Sequence, residues 1–388
     1  MTPKFKTAQR LEKLPPYLFI EIDKMKNAAK QKGVDIISLG IGDPDRPTPQ
    51  PIIDRMKIAV QDPSTHQYPL GWGLMSFRET MAKYYKNKFN VSLDPKTEVL
   101  TLIGSKEGVG HLPLAFVEQG DVVLVPDPGY PVYKSGTIFA GGDPYLMPLL
   151  AENNFLPDFD AIPESVYKKT KLMYLNYPNN PTAALAPADL FKKAIALAEK
   201  YGFIICHDAA YIDTVYDGEK AISFLEMPGA KEVGIELHSL SKTFNMTGWR
   251  LASAVGNADV LNGLGSIKEN LDSGAFHAIQ LAGIEAFEMD EKITKAIVDV
   301  YQARRDALVS GLRSIGWDVP MPKATFYCWM KTINNMSSME MTKLLLEKCG
   351  IVTTPGVGFG PNGEGFIRMA LTVDVDRIKE AIDRIKKL

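Results

Sequence analysis

The sequence predicts an α/β protein: a large domain with a mainly parallel, doubly wound sheet, followed by a smaller α+β domain. Three observations predict it. From Val99 onward, short apolar runs alternate with helical stretches, the pattern of strands joined by crossover helices. Those runs show no in–out alternation, as expected of strands covered on both faces. A chain of 388 residues is also too long for one simple core, so more than one domain is expected.

Residues 1–32 read as an arm and a helix. Pro15-Pro16 interrupts the chain, and Tyr17 to Met25 carries apolar residues at helical spacing. Val34 to Leu39 reads as a short strand. It runs into Gly40-Ile-Gly-Asp-Pro-Asp-Arg-Pro-Thr-Pro49, where two glycines either let backbone N–H groups approach a ligand or simply turn the chain. Residues 51–60 and 76–89 read as amphipathic helices. The loop between them, His66 to Gly73, offers Tyr68 and Trp72 for function or for packing. The alternating region follows, with strands at Val99–Ile103, Val122–Pro126, Leu172–Leu175, Phe203–His207, Ile235–Leu240 and Leu251–Val255. Helices are expected at Lys106–Glu118, Val132–Ala140, Pro187–Tyr201 and Ala258–Leu271. Two long helical patterns, Ala275–Met289 and Ile293–Ile315, are expected to connect the domains. The tail adds strands at Phe326–Met330, Gly350–Thr354 and Phe366–Leu371, and helices at Met339–Lys348 and Val375–Lys387. The expected division is an N-terminal arm and part of the small domain (1–49), a large ligand-binding domain (50–285) and a small C-terminal domain (286–388).

Composition narrows the function classes. A net charge of −2 gives no reason to expect nucleic acid or an anionic membrane as partner. No apolar run is long enough to span a bilayer, and Met1-Thr-Pro-Lys-Phe-Lys6 leads into charge rather than an apolar signal core. Cys206, Cys328 and Cys349 are widely spaced, which implies reduced thiols in a cytoplasmic protein and no disulfide framework. The five histidines never fall in a metal-ligand spacing and no Cys-x-x-Cys occurs, so no metal is expected.

In an open parallel sheet, ligands bind beyond the carboxyl ends of the strands. Five strand ends here carry polar loops: Gly104-Ser105-Lys106-Glu107, Asp127-Pro-Gly-Tyr130-Pro, Asn176-Tyr-Pro-Asn-Asn180-Pro, His207-Asp208-Ala-Ala-Tyr211 and Ser239 to Lys242. The first opens a helix, a good place for a phosphate. Each also has a plain reading. Asp208 could cap a helix, Asn179 and Asn180 could form a turn, and Tyr130 and Tyr211 could simply pack. Arg368 lies inside the apolar run Phe366-Ile-Arg-Met-Ala-Leu371. A charge facing a core needs a partner, which could be a ligand carboxylate or the protein's own Asp or Glu.

The most informative stretch is Ser239-Leu-Ser-Lys-Thr-Phe-Asn-Met-Thr-Gly-Trp-Arg250. Ser239 and Ser241 flank Lys242, and Arg250 follows a glycine at close range. The set suits a lysine amine forming an imine with an aldehyde whose phosphate sits beside it. Hydroxyls and a guanidinium serve the dianion. Nearby positive charge or desolvation keeps the amine unprotonated. The aldehyde that fits is pyridoxal phosphate; alone, the motif could also be a surface turn with incidental charge.

Six motifs stand between residues 14 and 250: Leu14-Pro-Pro-Tyr-Leu-Phe, Leu39-Gly-Ile-Gly-Asp-Pro-Asp, Ile103-Gly-Ser-Lys-Glu-Gly, Pro126-Asp-Pro-Gly-Tyr-Pro-Val-Tyr, Asn176-Tyr-Pro-Asn-Asn-Pro-Thr and His238-Ser-Leu-Ser-Lys-Thr-Phe-Asn-Met-Thr-Gly-Trp-Arg. With them the sequence resembles the fold-type I, class I aminotransferases that use pyridoxal phosphate. More narrowly it resembles their LL-diaminopimelate branch. That resemblance implies an exchange of an amino group between LL-diaminopimelate and 2-oxoglutarate in lysine biosynthesis, by a cytoplasmic homodimer with shared active sites. It implies that Lys242 condenses with the cofactor and then moves the Cα proton. Asp208 would face the pyridine nitrogen, Asn180 and Tyr211 the phenolic oxygen, and Tyr130 the ring face. Ser105, Lys106, Ser239, Ser241 and Arg250 would hold the phosphate, joined by Tyr68 from a partner subunit. Arg368 would clamp the substrate carboxylate with help from the Gly42 backbone, and Tyr17, Lys106, Tyr130 and Asn180 would line the substrate space. One departure from the family pattern is Ala183 in place of a usual glycine. The same cofactor apparatus would serve an aspartate, alanine or aromatic aminotransferase, a β-lyase, or a non-catalytic cofactor-binding regulator. Against the last, no helix-turn-helix or basic stripe is present.

Overall fold

The structure is a computed structural model that describes residues 5–14, 18–69 and 71–388. Its strands in chain order are β1 (Ile37–Ser38), β2 (Val99–Leu102), β3 (Val122–Asp127), β4 (Asp143–Pro148), β5 (Thr170–Leu175), β6 (Ile204–Asp208), β7 (Gly234–Ser239), β8 (Ala252–Gly256), β9 (Tyr327–Lys331), β10 (Ile351–Val352), β11 (Thr354–Pro355) and β12 (Phe366–Ala370). Seven of them form one sheet in the order β2-β8-β7-β6-β5-β3-β4. All run parallel except β8, which is antiparallel to both β2 and β7.

Each strand divides its apolar residues between two cores. Leu124, Met173, Leu175 and Ile205 face one core with Ile52, Phe77, Met81, Phe191 and Ala282. Val123, Val125, Leu172, Tyr174 and Cys206 face the other with Val109, Leu112, Leu261 and Leu264. The continuous apolar runs of the sequence follow from this: both pleat faces are covered by helices. Helices Gln50–Ala59, Met75–Phe89, Ala188–Tyr201 and His277–Glu288 cover the first face; Ser105–Phe116, Pro131–Ala140 and Ala258–Leu271 cover the second.

A third cluster lies around the three-stranded antiparallel sheet β11-β12-β9. It joins Cys328, Met330, Ile367 and Met369 to Leu308 and Leu312 of helix Glu291–Ser314 and to Ile378 and Ile382 of helix Val375–Ile385. Ile37 and Leu39 belong to the same cluster, because β1 pairs in parallel with β10.

Several elements differ from the sequence reading. Strand β4 went unread: its two prolines and half-exposed residues suit the sheet edge it occupies. The stretch 34–39 contributes only two paired residues, and 350–354 splits between β10 and β11. Of the two helices expected to connect domains, His277–Glu288 is part of the first core, through Ala282 and Ala286. Pro15, Pro16 and Tyr17 lie outside the described residues; the helix after them runs Leu18–Gln31.

Candidate active site

The carboxyl ends of β2, β3, β5, β6 and β7 share one edge of the large sheet, so all five polar loops converge there. The reversed strand β8 brings its start to the same edge. Its Ala252 pairs with both Leu102 and Ser239, which sets Arg250 between the end of β2 and the end of β7. A parallel strand would have carried that arginine to the opposite edge. Arg250 Nη2 lies 3.3 Å from the Ile103 carbonyl oxygen and Nη1 2.9 Å from that of Thr247. Gly104, at φ +78°, makes room for it: a methyl group there would fall 2.0 Å from Nη2.

The turn into helix Ser105–Phe116 is held from below. Glu107 accepts from the Ile103 N–H at 2.5 Å and takes two hydrogen bonds from the buried Lys268 ammonium, each at 3.1 Å. Lys268 also reaches Asp272 at 2.8 Å. The cluster Glu107, His111 and Asp272 has its ligand atoms close together; the Lys268 ammonium binds both Glu107 oxygens and Asp272 Oδ1, while Asp272 Oδ2 is buried without a hydrogen-bond partner among the described residues. Above it, the Ser105 and Lys106 N–H groups open the helix at the sheet edge that also carries Ser239, Ser241 and Arg250, and the first turn has no acceptor earlier in the helix. Lys106 and Arg250 are exposed, whereas Ser239 and Ser241 are buried.

Lys242 sits in the one-turn helix Leu240–Thr243, whose start is capped by Ser239 accepting from the Ser241 N–H at 3.2 Å. Its amine donates to the Gly42 carbonyl at 3.0 Å and lies 5.5 Å from the centre of the Phe326 ring. Desolvation lowers the amine from 10.5 to about 8; Asp43 opposes this, while Arg368 and Arg250 add to it. The Gly40–Gly42 loop is itself fixed. Thr354 Oγ1 and Arg368 Nη2 donate to the Gly40 carbonyl at 2.6 and 3.0 Å, and Thr372 Oγ1 to that of Ile41 at 3.0 Å. Further on, Asp45 takes a bidentate pair from buried Arg304 at 2.6 and 2.8 Å.

Asp208 ends β6 and is buried. It accepts from the Tyr133 hydroxyl at 2.8 Å and from the Ala210 N–H at 3.3 Å. No lysine or arginine pairs with it among the described residues, and burial pushes its carboxyl up despite those donors. Asn176 fixes the neighbouring loops: its Nδ2 donates to the Asp208 carbonyl at 2.7 Å, and its Oδ1 accepts from the Asn180 N–H at 2.8 Å.

Arg368 lies in β12 and is 3% exposed. Its Nη1 donates to Asn180 Oδ1 at 2.8 Å, and its Nε is buried without a hydrogen-bond partner. The guanidinium is stacked between Tyr327 and Phe359, at 4.1 and 4.7 Å from their ring centres. Among the described residues it has no carboxylate partner, so the reading of Arg368 as half of an internal ion pair is wrong. A buried cation without an anion is the signature of a site that takes one.

Tyr211 is buried, with its hydroxyl 2.8 Å from that of Tyr327. Tyr130 is half-buried at the head of helix Pro131–Ala140, its ring edge-on to Tyr133 at 5.8 Å. With Lys106, Arg250 and Phe359 it lines a cavity of about 920 Å³ that Lys242 and Asp208 do not touch; this cavity adjoins the site. Tyr68 is 80% exposed and lies on the surface of this chain. Ala183 adopts φ +61°, the left-handed region where glycine carries no steric cost. The backbone nevertheless keeps its turn, with the Ala183 N–H donating to the Asn179 carbonyl at 2.9 Å. Tyr17 is outside the described residues.

Sequence reasoning passed over Tyr133, Asn176, Tyr327 and Phe359. Tyr133 and Asn176 stand inside quoted motifs and could have been found there. Tyr327 lies in an apolar strand and carries no such signal.

The residues present fit pyridoxal phosphate. Among the described residues the buried Asp208 carboxyl has no lysine or arginine partner, and the Arg250 guanidinium bonds to backbone carbonyls alone. At the same sheet edge, desolvation lowers the Lys242 amine to about 8.

The family model for aminotransferase class I and II matches residues 34–385. The chain is 56% identical over 384 residues to an LL-diaminopimelate aminotransferase of Syntrophobacter fumaroxidans, covering 99% of each. Among solved structures, substrate-bound BacF of Bacillus subtilis superposes with a TM-score of 0.95 at 38% identity, over 99% of this chain and 98% of that one. An aspartate aminotransferase mutant of Thermus thermophilus gives a TM-score of 0.92 at 25% identity, over 99% of both chains.

Proposed function

Because the chain belongs to the class I and II aminotransferases, we propose that its site carries out transamination with LL-diaminopimelate as amino donor and 2-oxoglutarate as acceptor. It is a pyridoxal-phosphate-dependent enzyme acting on small amino and keto acids. The donor reading, and with it a place in lysine biosynthesis, is supported by the full-length similarity to LL-diaminopimelate aminotransferases. The observation that carries the chemistry is Arg368, a buried guanidinium lacking a protein carboxylate, close enough to Lys242 to lower its amine.

Pyridoxal phosphate supplies, when bound, an aldehyde and an electron-withdrawing pyridine ring. The protein's part is positioning and proton transfer. The Lys242 amine, held by the Gly42 carbonyl, is the nucleophile, and afterwards the base that takes the substrate Cα proton. Asp208, buried and short of a cation, holds a proton on the pyridine nitrogen. Asn180 gives its Oδ1 to Arg368, so its Nδ2 is the end left to donate to the phenolic oxygen beside Tyr211. Ser105, Lys106, Ser239, Ser241 and Arg250 form the phosphate cup. Tyr130 covers the ring. Arg368 takes the α-carboxylate as a planar fork, beside Gly42.

The exposed Tyr68 supports a homodimer in which it completes the partner's phosphate cup. Among the described residues no helix is long and apolar enough to cross a membrane; a cytoplasmic location is part of the proposal. So is the division drawn at 49 and 285, which the separate apolar clusters of the large and small sheets support in outline, with helix His277–Glu288 belonging to the large-sheet core as far as Ala286.

A donor screen with LL- and meso-diaminopimelate, aspartate, alanine and glutamate, each with 2-oxoglutarate, tests the substrate. Glutamate formation from LL-diaminopimelate well above the others is expected. Inactivity with it overturns the donor, and release of pyruvate and ammonia from an added amino acid with a thiolate leaving group on Cβ would make the enzyme a β-lyase.

Two further outcomes follow from the site. Asp208→Ala is expected to retain the cofactor through Lys242 and the phosphate cup, yet to lose about 10²- to 10⁴-fold in kcat, the usual weight of a proton-holding group. Full activity in that variant removes Asp208 from the chemistry. Cofactor capture by the apoenzyme requires the neutral amine of Lys242. With the amine lowered to about 8, its loading rate rises with pH up to a midpoint near 8 and then levels. An unperturbed lysine would keep rising towards about 10.4; stopped-flow absorbance against pH separates the two.

A further inference from the structure

Tyr327 joins two parts of the site that have no direct contact in the hydrogen-bond pattern. Its hydroxyl lies 2.8 Å from that of Tyr211. Its ring centre lies 4.1 Å from the Arg368 guanidinium. The side chain is buried and its place is fixed: Tyr211 packs edge-on against it at 5.5 Å and Phe326 lies tilted at 4.9 Å, and a methyl group on Gly42 would fall 2.0 Å from its oxygen. The Gly42 position therefore leaves space for this hydroxyl, while the carbonyl of the same residue holds Lys242.

A phenol has one proton to donate and lone pairs to accept. Where Tyr211 gives its proton to the phenolic oxygen of the cofactor, the bond between the two tyrosines persists only with Tyr327 as donor. That direction has a physical benefit, because a hydroxyl that accepts a hydrogen bond becomes a better donor. We propose that Tyr327 is a positioning residue with two roles: its hydroxyl donates to Tyr211 and so directs the Tyr211 proton onto the cofactor, and its ring is the floor on which Arg368 is held flat for the substrate carboxylate. This deepens the transaminase reading and rests on it.

The test is the pH midpoint of the holoenzyme's visible absorbance band, measured in the wild type, Tyr327→Phe, Tyr211→Phe and the double variant. Hydrogen bonding from Tyr211 draws charge from the phenolic oxygen, the atom that stabilises the protonated nitrogen of Lys242 beside it. Weakening that bond raises the midpoint. Tyr327→Phe is expected to raise it by roughly 0.5 to 1 unit, a three- to tenfold change in proton binding, the weight of one ordinary hydrogen bond. In the Tyr211→Phe background the same change is expected to add almost nothing, since the path through Tyr211 is already cut. An unmoved midpoint in Tyr327→Phe, or an equal shift in both backgrounds, overturns the first role. For the second, Tyr327→Phe keeps the ring and KM stays near its wild-type value. Tyr327→Leu removes the ring and raises KM for amino and keto acid alike by about two- to tenfold, the range of a partly desolvated cation–π contact. An unchanged KM in a folded Tyr327→Leu overturns that role. A wild type with no visible band dependent on Lys242 would instead defeat the transaminase reading itself.

Discussion

Lys242→Ala is expected to lower turnover by about 10⁴-fold or more and to erase the visible absorbance of the cofactor-loaded protein. Two functions vanish with one amine: the nucleophile, and the base whose kind alone contributes up to about 10⁴-fold. The fold should be indifferent. The side chain is half-buried and its one hydrogen bond, to Gly42, joins a loop that Thr354, Arg368, Thr372 and Arg304 hold independently. Removing a desolvated amine also relieves the burial that lowers it to about 8. Steady-state kinetics, the absorption spectrum and a thermal melt read the three outcomes. Activity within tenfold of wild type would show that another group does this work.

Arg368→Ala is expected to cost about 30- to 3,000-fold in kcat/KM for the amino donor and the keto acceptor alike. The range corresponds to losing one partner of a buried, hydrogen-bonded charge pair, roughly 2 to 5 kcal/mol. Both substrates carry the same carboxylate, so a loss confined to one of them would place the arginine elsewhere. Arg368→Lys should recover little. The guanidinium is a planar fork stacked between two rings, and a compact ammonium reproduces neither the fork nor the stacking. The variant protein should remain folded: truncation removes a buried cation that lacks a counter-ion, and leaves Asn180 and Gly40 to be rehydrated.

The large sheet was legible because its signal is local. Runs such as Val122–Pro126 and Leu172–Leu175 are apolar on both faces, and a two-sided core demands that pattern wherever the strand falls in the sheet. The loops Gly104–Glu107, Asn176–Pro181 and Ser239–Lys242 were legible because turns and caps need particular residues. Other features were not local. Within 143–148 two prolines break the strand pattern, although they suit an edge, and it is the pairing with β3, 21 positions earlier, that makes the segment a strand. The reversal of β8, which delivers Arg250 to the phosphate cup, is a property of strand order. Arg368 was noticed as an anomaly in an apolar run, but only its surroundings exclude an internal carboxylate. Tyr327 looked like a core residue and is one; its hydroxyl matters because of Tyr211, 116 positions away.

The pairing of β1 with β10 has a consequence for how the enzyme comes into being. Gly40, beside the loop carbonyl that holds the lysine, is gripped by Thr354 and Arg368, which follow it by 314 and 328 positions. During synthesis the N-terminal parts of a chain fold first, and both faces of the large sheet can close once helix His277–Glu288 has emerged. The Gly40–Gly42 segment must wait for Thr354 and Arg368, 66 and 80 positions beyond Glu288, before its grip exists. A nascent chain halted near residue 340 would therefore carry a buried sheet and a lysine whose Gly40–Gly42 anchor lacks its grip and whose carboxylate clamp, Arg368, has yet to be made.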